Sequence, residues 1–210
     1  DRKDTQGLTF HYLMPDVDGH NRVFMACQEC GHRPVLVADA GFMYAAKMSG
    51  YAADYDLFTP DAGELAFLAD EKAPHPFYAR GFLLDSHDNV PGLLARASEH
   101  QNAARFMIIK GARDAISEGG RIIHWVDEPQ TPAMEAIGGT GDMVTGIVTG
   151  LLAGGMDLPQ AALTAARAAR YAGSLAAPTP ATQIAEILPF VPQALRKALA
   201  QNGSGENGQK

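Results

Sequence analysis

The chain has 210 residues, 46% of them hydrophobic and 20% charged, which predicts one globular domain with a substantial core. A formal net charge of −7 and the lack of any Lys/Arg cluster argue against a nucleic-acid partner. The most apolar run, Met143 to Met156, is shorter than the about 20 residues that cross a bilayer, so no membrane partner is expected.

Leu8 to Tyr12 reads as a short strand and Pro15 to Asp18 as a loop. Asn21 to Glu29 has amphipathic helical spacing, closed by Gly31 with Pro34 beyond it. Val35 to Asp39 is a compact apolar strand ending in an acid, and Phe42 to Ser49 is helical. Leu57 to Thr59 predicts another buried strand. Asp61 to Ala69 follows as a helix, with Asp61 as N-cap and Glu64 three residues on, the spacing of a capping box. Lys72 to Asp88 is rich in Pro, Gly and His and predicts a long surface excursion. Pro91 to His100 is helical, and Phe106 to Ile109 is a fourth apolar strand running into Lys110 and Gly111. Ala115-Ile116, the turn Glu118-Gly-Gly120 and Arg121 to Val126 form a hairpin pattern. A glycine turn and three helices complete the chain: Asp142 to Leu152, Pro159 to Leu175 and Pro180 to Ala200. The Gly/Asn/Ser-rich residues Gln201 to Lys210 predict a disordered tail after a single domain over 1–200.

Short apolar strands alternating with helices predict an α/β fold, a three-layer sandwich with a mostly parallel sheet covered on both faces. Ligands of such sheets gather at the carboxyl ends of the strands. This sequence places there Asp39, Thr59-Pro-Asp-Ala-Gly-Glu64, Lys110-Gly111 and Gly138-Gly-Thr-Gly-Asp142. The glycine turn permits positive φ, and the amides of Gly139, Thr140 and Gly141 open a helix without intrahelical acceptors, so they form an anion hole. Asp142 stands beside it. Either it takes a proton from an attacking hydroxyl during phosphoryl transfer, or it merely caps the helix. The turn is neither a nucleotide P-loop nor a Rossmann fingerprint.

These residues resemble a family. Gly-Thr-Gly-Asp142 and the Met-Val-Thr-Gly-Ile-Val-Thr-Gly-Leu-Leu-Ala run after it look like the anion-hole signature of the ribokinase-like superfamily, and closest to them are the ADP-dependent NAD(P)H-hydrate dehydratases. Val-Leu-Val-Ala-Asp39-Ala, Leu57-Phe-Thr-Pro-Asp-Ala-Gly-Glu64 and Ile109-Lys-Gly-Ala-Arg113 resemble that family's other motifs, in order, from about Val35 to Ala172. The resemblance implies Asp142 as the catalytic carboxylate. It implies nucleotide binding by Lys110, Gly111, Ala112, Arg113, Asp114 and Gly141, and a substrate or metal-phosphate region around Asp39, Asp61, Gly63 and Glu64. It further implies ADP or ATP as cofactor, Mg2+ with it, and a small-molecule substrate, hydrated NAD(P)H or another hydroxyl acceptor. Asp61 and Ala62 stand where the family loop has His and Pro, and the family's N-terminal Lys-Gly-x-x-Gly segment has no counterpart, so a fold shortened at the N-terminus is expected.

Other residues carry weaker signals. Cys27-x-x-Cys30-Gly-His32 with His20 reads as an ordinary helix end, a metal site being the alternative, and no side chains are assigned as metal ligands. Two cysteines suit a reducing cytoplasm. His75, His87 and His100 predict solvated positions, and His11 and His124 strand positions. Trp125 and Tyr171 either pack or stack on adenine. Gly146, Gly150 and Gly154 predict a helix face packed closely on the sheet. Ala161 to Ala172 reads as a close-packing helix or a dimer face, and a symmetric homo-oligomer is expected. A small-molecule kinase and a non-catalytic nucleotide-binding module are the competing functions.

Overall fold

The computed structural model describes residues 5–10, 16–73 and 89–205. Six strands form one sheet in sequence order: β1 (Thr5–Phe10), β2 (Val35–Asp39), β3 (Leu57–Phe58), β4 (Phe106–Ile109), β5 (Asp114–Glu118) and β6 (Arg121–Val126). The first four run parallel, β5 pairs antiparallel with β4, and β6 pairs antiparallel with β5. Strand side chains alternate between two cores, as the period of two requires. Leu36, Ala38, Met107 and Ile109 face one, and Val37, Phe106 and Ile108 face the other.

The first core is closed by α1 (Val17–Glu29), α2 (Ala40–Met48), α3 (Ala62–Ala69) and α4 (Val90–Glu99). The second is closed by α5 (Thr140–Ala153), α6 (Leu158–Ala176), α7 (Ile184–Ile187) and α8 (Val191–Gly205). The result is the expected α/β/α sandwich. Burial on both faces explains why β2, β3 and β4 are continuous apolar runs rather than alternating ones. Among the described residues no helix is long and apolar enough to cross a membrane.

Several boundaries differ from expectation. Helix α1 starts at Val17, inside the predicted loop, because Asp16 caps it by accepting the Gly19 N–H at 2.9 Å. Its inward stripe is His20, Phe24 and Cys27, so the first position of the helical period is a histidine rather than an aliphatic residue. The strand predicted at Leu8 to Tyr12 occupies Thr5–Phe10 instead, and His11, Tyr12, His75 and His87 lie outside the described residues, as does the predicted excursion from residue 74 to 88.

The predicted helix Pro180 to Ala200 is broken into α7, a 3-10 turn at Leu188–Phe190 and α8. Pro189 lacks the N–H that would continue the ladder. Helix α8 extends through Gly205, five residues into the predicted tail. The hairpin turn is as expected, with Gly119 and Gly120 both at positive φ.

The glycine face of α5 also turns out differently. Gly146 and Gly150 are exposed, with no atom within 4 Å of where a Cβ would stand. The inward face consists of Met143, Val144, Ile147, Val148 and Leu152, whose burial decides the helix's orientation. In α6 the alanines are buried within the chain itself, Ala161, Ala162, Ala165, Ala166, Ala168 and Ala169 all joining the second core.

Candidate functional site

Because β2, β3 and β4 run parallel, their carboxyl ends share one edge of the sheet, and the antiparallel β5 begins there. Asp39, the last residue of β2, is 2% exposed and also caps α2 by accepting the Ala40 N–H at 3.0 Å. Ala40 holds φ 46, a left-handed conformation that a non-glycine residue rarely adopts. The same carboxylate accepts from Lys110 Nζ at 3.0 Å and from Thr145 Oγ1 at 2.9 Å. Thr145 has one hydroxyl proton, and a buried carboxylate attracts it more strongly than the Gly141 carbonyl at 3.3 Å. Thr59 Oγ1, 2.8 Å away, therefore donates to Thr145. A one-way chain of hydrogen bonds thus ties β3 to α5 and α5 to β2.

Lys110 continues β4. Its backbone N–H donates to the Pro60 carbonyl at 2.7 Å, and a parallel bridge joins it to Asp61. Burial works to neutralise its ammonium, but Glu64 and Asp39 more than offset this and hold its pKa above the usual lysine value. Glu64 lies 3.8 Å from Lys110 Nζ and accepts from the Tyr44 hydroxyl at 3.1 Å. Burial first, then the neighbouring Asp61 and Asp39, push its pKa up to about 7 against the pull of Lys110. Asp61 and Glu64 complete the predicted capping box, each accepting the other's N–H at 2.7 Å.

The glycine turn meets this cluster. Gly139 is the N-cap of α5 at φ 92, and a Cβ there would stand 3.1 Å from Ile184. Asp142 is therefore not the N-cap. It sits in the helix's first turn, half-buried. A Cβ on Gly141 would stand 3.0 Å from Lys110 Nζ, so the ammonium reaches the mouth of α5. Thr140 turns its hydroxyl back onto the Ile137 carbonyl at 3.1 Å. Uncapped first-turn amides, a helix dipole and a fixed ammonium together favour an anion.

Of the residues singled out from sequence, Asp39, Asp61, Glu64, Lys110 and Gly141 converge, with Gly63 in the first turn of α3. Gly111 to Arg113 form the loop between β4 and β5, held by Arg170, whose Nε donates to Asp114, the first residue of β5, at 2.8 Å. Burial raises the Asp114 pKa and Arg170 opposes the rise. Arg113 lies over the Trp125 ring at 4.5 Å, and Lys197 over Tyr171 at 4.7 Å. Sequence reasoning placed Thr59 at a strand end without a role and missed Thr145, Tyr44 and Arg170. A threonine on the inward stripe of an apolar helix and an arginine amid alanines were the available signals, because buried polar groups require partners.

The side chains assigned to metal-phosphate do not fit a preformed Mg2+ cage. Asp39 is taken up by Lys110, Thr145 and its own helix, and Asp61 and Glu64 by their capping box. Among the described residues no group of three or more His, Cys, Asp or Glu could hold a metal ion. Cys27 is buried, and exposed Cys30 donates its thiol to the Ala26 carbonyl. His20 is buried among Phe24, Phe42, Tyr51 and Tyr55, bonding Tyr55 at 3.0 Å and Asn21 at 2.9 Å.

A protein-family profile described as NAD(P)H-hydrate dehydratase matches residues 20–189. The chain belongs to this family. The NAD(P)H-hydrate dehydratase match begins upstream of Val35, where the recognisable motifs begin. An uncharacterized protein of Methanocaldococcus jannaschii, MJ1337, is 39% identical over 93% of this chain and 82% of its own length. The ADP-dependent (S)-NAD(P)H-hydrate dehydratase of Cenarchaeum symbiosum is 31% identical over 66% of this chain and 42% of its own length. In structure, a ribokinase-like superfamily protein of Enterococcus faecalis V583 superposes with a TM-score of 0.61 at 19% identity, over 87% of this chain and 60% of that one. The sandwich is therefore ribokinase-like, and this chain spans about three-fifths of that solved chain.

Proposed function

We propose that the protein dehydrates hydrated NAD(P)H by phosphorylating the hydrate's hydroxyl at the expense of ADP or ATP and eliminating phosphate. The observation that carries this reading is the Lys110 ammonium set against Gly141 at the uncapped mouth of α5, with Asp142 in the same turn. The nucleotide, when bound, supplies the phosphoryl group. Lys110 and the amides of Gly139, Thr140 and Gly141 hold its charged oxygens and stabilise the charge that builds during transfer. Asp142 accepts the proton of the attacking hydroxyl. Asp39 and Glu64 keep Lys110 charged for this task. Departure of phosphate, with loss of a proton from the adjacent ring carbon, then restores the dihydropyridine ring. Family membership and the ADP-dependent relative support the substrate assignment.

The test is to supply hydrated NADH with ADP or ATP and follow the return of reduced-nicotinamide absorbance. Asp142→Asn is expected to lower turnover by orders of magnitude and leave nucleotide binding in place. Turnover that survives this change removes Asp142 as the base. Phosphate transfer to a stable alcohol without action on the hydrate replaces the dehydratase by a kinase on the same scaffold.

A further inference from the structure

Arg170 belongs to α6, far along the chain from the loop that joins β4 to β5, yet it holds that loop. Its Nε donates to Asp114 Oδ2 at 2.8 Å and its Nη1 to the Asp127 carbonyl at 3.2 Å. Its Nη2 donates to the carbonyls of Gly111 at 3.0 Å and Ala112 at 2.9 Å. All but one of the N–H bonds an arginine carries are therefore used. The ion pair is nearly buried, with side chains 10% and 12% exposed. Asp114 closes the loop from its other end by accepting the Gly111 N–H at 3.0 Å.

These bonds fix the direction of two peptide planes. In a trans peptide the carbonyl of one residue and the N–H of the next point oppositely. With the carbonyls of Gly111 and Ala112 turned onto Arg170, the N–H groups of Ala112 and Arg113 point away from α6. Both residues are exposed. Successive amides aimed outward are suited to acceptor atoms of a bound anion or heterocycle.

We propose that Arg170 is the positioning residue of the nucleotide loop, fixing the Ala112 and Arg113 amides for the acceptor atoms of an adenine nucleotide. The inference rests on the proposed function and goes beyond it. Lysine cannot replace arginine here, because one ammonium cannot span the carboxylate and three carbonyls in a planar fork.

The experiment measures ADP binding by calorimetry, together with turnover of hydrated NADH, for wild type, Arg170→Lys and Asp114→Asn, well below each protein's melting temperature. Arg170→Lys is expected to raise the Kd for ADP about tenfold or more, with KM for the hydrate within twofold of wild type. Asp114→Asn keeps the carbonyl bonds and should weaken ADP binding by less, a result that carries the test if Arg170→Lys does not fold. Arg170→Lys matching wild type for ADP overturns the inference alone. Equal losses for ADP and hydrate do the same, since they mark general loosening. A wild type that binds no adenine nucleotide removes the functional reading and this inference with it.

Discussion

At the scale of single residues, the site is governed by how few protons serve many oxygens. Thr145 gives its proton to Asp39 and receives one from Thr59, so a methyl in place of its hydroxyl leaves two buried oxygens short of a partner. Thr145→Val is expected to destabilise the protein by about 1–3 kcal/mol, with Thr145→Ser closer to wild type, as read from urea unfolding. Glu64 allows a second prediction. Its folded pKa, about 7, lies above the ordinary glutamate value of 4.5, so the fold favours the protonated form. The stability it contributes is complete below pH 4.5 and is lost as pH rises through 7. Glu64→Gln cannot titrate, so the stability difference between wild type and variant should drift against wild type across that window. A difference that stays flat with pH contradicts the raised pKa. None of these contacts joins neighbours in sequence. Asp39 and Lys110 were legible as polar residues ending apolar strands, but Thr145 and Arg170 needed the register of α5 on β2 and of α6 on the β4–β5 loop, which no local pattern encodes.

At the scale of elements, α5 shows two uses of glycine. Gly139 is required at the helix mouth by φ 92 and by the closeness of Ile184, and replacing it by alanine combines backbone strain with a clash. Gly146 and Gly150 face open space in the middle of the same helix, where glycine only weakens it. Gly139→Ala is expected to lower the melting temperature and weaken phosphate binding. Gly146→Ala and Gly150→Ala should each raise stability by about 0.5–1 kcal/mol. Loss of stability at the two outer positions would mean that this face is covered in the working protein. The element pattern itself was largely legible, because buried parallel strands are written as short apolar runs and the hairpin as paired glycines. The exceptions have local causes: His20 stands first on the stripe of α1, and Pro189 breaks a helix whose composition looks continuous.

At the scale of the whole molecule, the two ends of the sheet differ in chemistry. One end gathers Asp39, Asp61, Glu64, Lys110 and the mouth of α5. The other carries the β5–β6 turn and a hollow of about 290 Å³ lined by Ser98, Gln101, Arg105, Gly119 and Gly120. Fixed charge and oriented amides are concentrated at the first end, so a charged ligand should be held there by the strand tips and leave the opposite turn untouched. Hydrogen exchange with and without saturating ADP reads this directly. Protection is expected in peptides covering residues 110–114 and 139–145, with no change across 98–105 and 118–121. Binding should also raise global stability, by about 2.7 kcal/mol when ADP is at a hundred times its Kd, and the slowest core amides of β2 and β4 would then slow together. Protection confined to the hairpin end would move the ligand to the hollow between α4 and the turn, and would take both Lys110 and Asp142 out of its chemistry.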